Sequence, residues 1–320
     1  MIKPDPAPAN PAAAIMSQPY LLLTLSALFW GGNIIAGKFA IGEIDPFGLS
    51  SLRWIVAFLL IAPFAWGTVR REWAEIRRGI GWLAFYGAIG FTSFNALLYG
   101  SAIYTTGVNI AMIQAAIPVL VMVGNFAIFR VRASVLHVIG VVLTIYGVVH
   151  VATHGAPARL LGLDLNIGDG MILLACVLYA LHSLMLRHKP RIGWVSFIAM
   201  TSFFAAIAAL IYQMLFAGGV EGLVRDAAAM SAKGWLVVLY VALLPSVVAQ
   251  ATYARGVELI GPNRGSLFIN LIPVFGALLS VLLLGETIEM FHAIAALFII
   301  GGIVLAERAA RRIRPLAVGS

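Results

Sequence analysis

The side chains able to do chemistry in this sequence are uncharged hydrogen-bonding and aromatic groups set inside long apolar runs: Trp30, Asn33, Ser93, Asn95, Tyr99, Gln114, Tyr179, His182, Ser246, Gln250, Tyr253 and Asn270. A polar group in hydrocarbon is costly unless it is bonded or faces a wet cavity. Such a set could recognise a small solute. Asn33, Asn95, Gln250 and His182 would take amino and carboxylate groups, and Trp30, Tyr99, Tyr179 and Tyr253 would accept a flat apolar side chain. Each residue also has a plainer reading. Asn, Gln and Ser in membrane helices often bond only a neighbouring helix, for about 0.6 kcal/mol on average, and Tyr99 and Tyr253 would equally suit an interfacial aromatic belt.

Depth separates these residues. At about 1.5 Å of rise per residue, Asn33 and His182 fall near the midplane from opposite sides, with Ser93 and Ser246 near the centre. Arg53 lies about seven residues inside the end of its run, deep enough to need a partner. The sequence offers Glu286 or Asp45 as that partner, in an ion pair near an external mouth, and contact with a substrate carboxylate as the second role. Lys38 and Arg187 can snorkel to their interfaces and read as anchors. Pro118, Pro245 and Pro273 sit within apolar runs, where each removes a backbone hydrogen bond and makes a pliable gating or hinge point.

Catalytic constellations are weak, and the expectation is no enzyme, no cofactor and no metal. His150 and His154 have the spacing of two metal ligands on a helix but lack an obvious third. Gly168-Asp169-Gly170 is faintly similar to an intramembrane aspartyl protease motif, without a second membrane aspartate. Phosphate-binding glycine loops are absent. The 13 acidic residues all lie in loops or near run ends. His182 is therefore the best proton carrier if transport is coupled.

These residues are positioned by ten apolar runs, at about 20–41, 46–68, 80–103, 107–129, 134–153, 168–187, 192–216, 233–257, 262–284 and 288–307, each near the ~20 residues that span ~30 Å of hydrocarbon. A mean hydropathy of +0.99 and 62% hydrophobic residues mark an integral membrane protein. The fold class is all-α and polytopic, with ten transmembrane helices in two inverted five-helix repeats. Slid by about 150 positions, the second half overlies the first. Trp30 then meets Tyr179, Asn33 meets His182, Lys38 meets Arg187 and Tyr99 meets Tyr253. Gly107, Asn109, Pro118 and His137 meet Gly261, Asn263, Pro273 and His292. Five spans are odd in number, so the twins must enter the bilayer in opposite senses, an arrangement typical of carriers with a site between the halves.

The boundaries read as a disordered cytoplasmic lead 1–19, a first repeat 20–153, an external connector 154–167, a second repeat 168–308 and a basic cytoplasmic tail 309–320. The longer connections, 154–167 and 217–232, could form at most short surface helices. A cleaved signal peptide is not expected. Of the 21 Lys and Arg, 16 fall on the face shared by the termini and 5 on the other, which places both termini in the cytoplasm. The net charge of +8 thus reports topology and contact with the lipid bilayer, not nucleic acid. The single cysteine, Cys176, rules out a disulfide framework within the chain.

Three stretches carry a resemblance to a known family: Leu271-Ile272-Pro273 through Leu284-Gly285-Glu286, Leu28-Phe29-Trp30-Gly31-Gly32-Asn33, and Leu52-Arg53-Trp54. With the ten runs they resemble the EamA branch of the drug/metabolite transporter superfamily, over almost the whole chain after residue 19. The first repeat departs from the pattern, with Phe129-Arg130-Val131 in place of Leu-Gly-Glu. Within the branch, the aromatic interior is most similar to the YddG-type exporters of aromatic amino acids. The resemblance implies a secondary transporter or facilitator of the inner membrane that exports small metabolites, aromatic or other neutral amino acids foremost, by alternating access. Another cargo (drug, nucleoside, sugar), a channel or lipid-handling protein, and a membrane enzyme or receptor stand as alternatives. The duplication puts both halves of a pathway in one chain, so a monomer could suffice.

Overall fold

The computed structural model describes residues 15–130, 135–156, 166–261 and 265–312. Most of the lead 1–19, the core of the connector 154–167 and the end of the tail 309–320 lie outside the described residues. Among those described, every regular element is helical. A backbone without water must satisfy its own polar groups, and helices do so locally.

The main helices are α1 (Pro19–Phe39), α2 (Pro46–Arg71), α3 (Ile80–Tyr104), α4 (Gly107–Phe129), α5 (Val135–Ala152), α6 (Ile167–Met185), α7 (Trp194–Phe216), α8 (Ala232–Ile260), α9 (Leu271–Leu284) and α10 (Met290–Arg312). Seven stretches are long and apolar enough to cross a membrane: α1 to α4, Ile167–His188, α7 and α8. The other three runs contain shorter apolar helices, Val138–Val151, Phe268–Leu284 and Met290–Leu305. The ninth is shortened because it opens in 3₁₀ form over Ser266–Asn270 and is stopped by Gly285 at φ +68°. The loop 217–232 does hold a surface helix, Gly219–Ala229.

Helix starts follow from local chemistry. Asp45 Oδ1 accepts from the N–H of Phe47 and Gly48 at 2.8 and 3.0 Å and caps α2. Thr106, Asn166 and Ser231 cap α4, α6 and α8 in the same way. Glu43 accepts from the Ser231 hydroxyl and N–H at 2.9 and 3.0 Å, joining the α1–α2 loop to α8. The Ser231 hydroxyl, then its N–H, hold the Glu43 carboxyl below its ordinary value. Burial pushes the Asp45 carboxyl up, and Asp226 nearby adds to the rise.

Packing joins the two halves. The helix α1 lies against α8 and α9, α6 against α3 and α4, α2 against α7, and α5 against α10. The α1–α9 crossing depends on Gly31, where an added Cβ would stand 2.8 Å from Phe275 Cβ and 2.9 Å from Gly276 N.

Several helices change type or break along their length. A π-helical stretch occupies Tyr86–Ser93 in α3 and another Leu244–Val248 in α8. In α4 the α-helix breaks at Ala115–Ala116, and Pro118 opens the next segment, Ile117–Phe129. In α9 Pro273 follows the 3₁₀ turn, and in α8 Pro245 lies in the π stretch. The three prolines predicted as hinges therefore stand at or beside a break or a change of helix type, where a missing N–H costs least.

Candidate functional site

Four helices bring polar side chains to one point, and Arg53 occupies it. The residue is 3% exposed. Its Nε donates to Ser246 Oγ at 2.8 Å, and its Nη1 to Asn33 Oδ1 at 2.8 Å, to Asn95 Oδ1 at 2.6 Å and to the Tyr99 hydroxyl. Tyr99 in turn donates to Asn33 Oδ1 at 2.8 Å, and Asn33 Nδ2 to Asn95 Oδ1 at 3.2 Å. The guanidinium carbon lies 4.8 Å from the centre of the Trp54 ring, itself stacked on Phe91 at 4.8 Å and 5°. The π stretches explain how two serines fit: Ser93 and Ser246 each donate to the carbonyl five residues earlier, at 2.8 and 2.7 Å.

The expected ion pair at an external mouth is corrected by this geometry. Glu286 accepts from the N–H of Gly107 and Val108 at 2.8 and 2.9 Å, capping α4, and Asp45 caps α2. A helix N-terminus offers unpaired donors and partial positive charge, so it satisfies a carboxylate as a cation would. Gly285 in the left-handed region turns the chain so that Glu286 reaches α4. At the matching place in the first half Arg130 adopts the same conformation, φ +53°. Lys38 does not merely snorkel, since its Nζ donates to the Thr105 carbonyl.

Beside Arg53 lies a cavity of about 80 Å³ lined by Trp30, Asn33, Arg53, Trp54, Gly90, Phe91, Phe94, Asn95, Leu98, Gln114, Ile117, Tyr179, Gln250, Ile269 and Ile272. That volume admits waters but is well below the roughly 300–1,000 Å³ of typical ligand pockets. A wider vestibule of about 380 Å³, at the end of the bundle where α1 finishes, is bounded by Glu43, Asp45, Asp226, Ile103 and Tyr99 among others. Tyr99 thus has one edge on the vestibule while its hydroxyl binds Arg53.

Of the residues expected to contact substrate, Trp30, Asn33, Asn95, Gln114, Tyr179 and Gln250 line the central cavity. Tyr99 and Ser246 reach it through Arg53, and Tyr253 packs on Trp30 at 5.3 Å. Ser93 instead shares a hydrogen bond with Tyr212 at 2.8 Å. His182 is enclosed by the rings of Tyr86, Phe91 and Tyr179, and Asn270 ends the 3₁₀ turn; neither lines the cavity. Sequence reasoning missed Trp54, Phe91 and Phe94. Trp54 was visible as the neighbour of a deep arginine, while the two phenylalanines carry no signal beyond apolarity.

A second polar group lies toward the vestibule end. Thr105 Oγ1 donates to Asp169 Oδ1 at 2.6 Å, Asn109 Nδ2 donates to Thr105 Oγ1 at 3.2 Å, and His292 Nε2 meets Asn109 Oδ1 at 2.9 Å. Since His292 Nδ1 accepts from the Glu289 N–H at 3.0 Å, its proton sits on Nε2. No cluster of three or more metal-ligating side chains occurs among the described residues.

Comparison with known proteins agrees with this architecture. The model of the EamA-like transporter family matches residues 18–153 and again 166–307. "Uncharacterized transporter YyaM" of Bacillus subtilis (strain 168) is 26% identical over 292 residues, covering 90% of this chain and 93% of the relative. "Uncharacterized transporter YetK" of the same organism is 25% identical, over 89% of this chain and 85% of its own. An "Uncharacterized transporter" of Archaeoglobus fulgidus is 25% identical, over 90% and 97%. A solved structure with 20% identity superimposes with a TM-score of 0.59 over 92% of this chain and 99% of that one, a likeness of fold. With its family model matched twice and its polar centre buried among apolar helices, this chain belongs to the EamA-like transporter family and is a multi-pass membrane transporter.

Proposed function

We propose that the protein is a secondary transporter or facilitator that exports small carboxylate-bearing metabolites, aromatic ones foremost and neutral amino acids among them, by alternating access. The observation that carries this reading is the central cavity, where a buried guanidinium meets aromatic walls contributed by both halves of the chain. Trp30, Phe94 and Tyr179 would receive an apolar side chain, and Arg53 with the amides the polar end.

The two halves are read as inverted five-helix repeats in the inner membrane, with cytoplasmic termini. The exchange of partners supports this: α1 packs on α8 and α9 as α6 packs on α3 and α4, which a two-fold swap of the halves would generate. Rocking about the central cavity would draw on the helix joints at Pro118, Pro245 and Pro273. In the present conformation the cavity is too small for an amino acid, so loading requires the halves to part and Tyr99 to leave Arg53.

Counterflow in proteoliposomes tests the proposal. Preloaded vesicles are offered a panel of labelled amino acids and small aromatic metabolites, and saturable counterflow of at least one aromatic member is expected. Flux that rises linearly with concentration, without counterflow, would identify a passive channel instead.

A further inference from the structure

We propose that the preferred cargo of the central cavity is a net monoanion, an aromatic carboxylate without an ammonium group, and that Arg53 is its counter-ion. The inference rests on the cavity being the transport site and narrows what that site takes.

The charge inventory is lopsided. Among the described residues one guanidinium lines the cavity and no Asp or Glu does. The hydrogen-bonding inventory leans the same way. Arg53 engages Nε and Nη1 with protein groups, while Nη2 makes no hydrogen bond to any described residue. Gln114 Nε2 and Trp54 Nε1, on residues 8% and 1% exposed, are buried donors without a partner. Three donor nitrogens, on side chains that line one small cavity, are thus left without an acceptor among the described residues. The amide oxygens of Asn33 and Asn95 already accept from Arg53.

An oxyanion answers this arrangement, because it supplies acceptors to the idle donors and neutralises a buried charge whose uncompensated presence is costly. A zwitterion fits worse, since its ammonium would face a guanidinium with no carboxylate to receive it. The driving force follows. A neutral solute draws nothing from the membrane potential, whereas a monoanion is expelled by an inside-negative one without any coupled proton.

The test uses the full chain in proteoliposomes at pH 8, with potassium and valinomycin setting the potential and protein-free vesicles as baseline. Labelled phenylpyruvate, phenylalanine and 2-phenylethylamine are compared. The expected result is phenylpyruvate efflux at least tenfold faster than that of the other two, with its steady-state distribution shifting tenfold for about 59 mV, as one charge requires. Arg53→Lys should keep part of this response and Arg53→Gln should lose it. Phenylalanine moving as fast as phenylpyruvate, or phenylpyruvate flux indifferent to potential, overturns the monoanion assignment and leaves the carrier reading intact. Failure of all three solutes to move above baseline overturns both. The solute comparison on the unaltered protein decides even if Arg53→Gln yields no folded material.

Discussion

Asn33 is the residue on which the polar centre turns. It accepts from both Arg53 and Tyr99 while donating to Asn95, so its loss takes one acceptor from the guanidinium and one from the phenol together. Asn33→Ala should lower transport about tenfold or more, near 1.4 kcal/mol in the barrier. The folded yield and gel-filtration profile should stay unchanged, because apolar packing of α1 is untouched. Uptake at the normal rate would remove Asn33 from the site. Residue chemistry was legible in the sequence up to a point. The depth of Arg53 announced a need for partners, but partners from α1, α3 and α8 are set by tertiary packing that no spacing encodes. Charge arithmetic suggested a carboxylate, and the helix N-termini claimed Glu286 and Asp45 first.

Among the elements, the π stretches carry the most information. The stretch in α3 places Gly90 directly against His182, where an added Cβ would fall 2.0 Å from Nδ1 and 2.3 Å from Cγ. Gly90→Ala should therefore destabilise the protein by about 1–3 kcal/mol, the usual cost of overpacking. Combining it with His182→Ala should restore part of that loss in a thermal melt, and absence of any rescue would show that the clash lies elsewhere. Apolar runs and proline joints were readable because bilayer thickness and the missing proline N–H are local constraints. The π stretches were not, since an extra residue per turn is held by neighbours such as α7, whose Ala205 carbonyl receives the Thr92 hydroxyl at 2.7 Å. The short ninth span escaped for a related reason: its apolar residues continue through a 3₁₀ turn that hydropathy cannot distinguish.

For the molecule as a whole, the proposed two-fold relation between halves makes a topological prediction. In a Cys176→Ser background, Ser17→Cys and Ile167→Cys lie at the starts of α1 and α6, with Ile167 65% exposed. A membrane-impermeant maleimide added to intact cells should label the second and spare the first until the membrane is opened. Labelling of both from one side would end the inverted-repeat reading. The bond between Tyr99 and Arg53 has a bearing on solutes that are never carried. The Arg53 guanidinium, charged at any physiological pH, lines the central cavity and is bonded to the Tyr99 phenol, whose ring borders the vestibule. Protons and sodium ions passing from the vestibule toward the cavity would meet a fixed like charge behind a phenol, so an idle molecule should not short-circuit the electrochemical gradient on which the cell's energy supply depends.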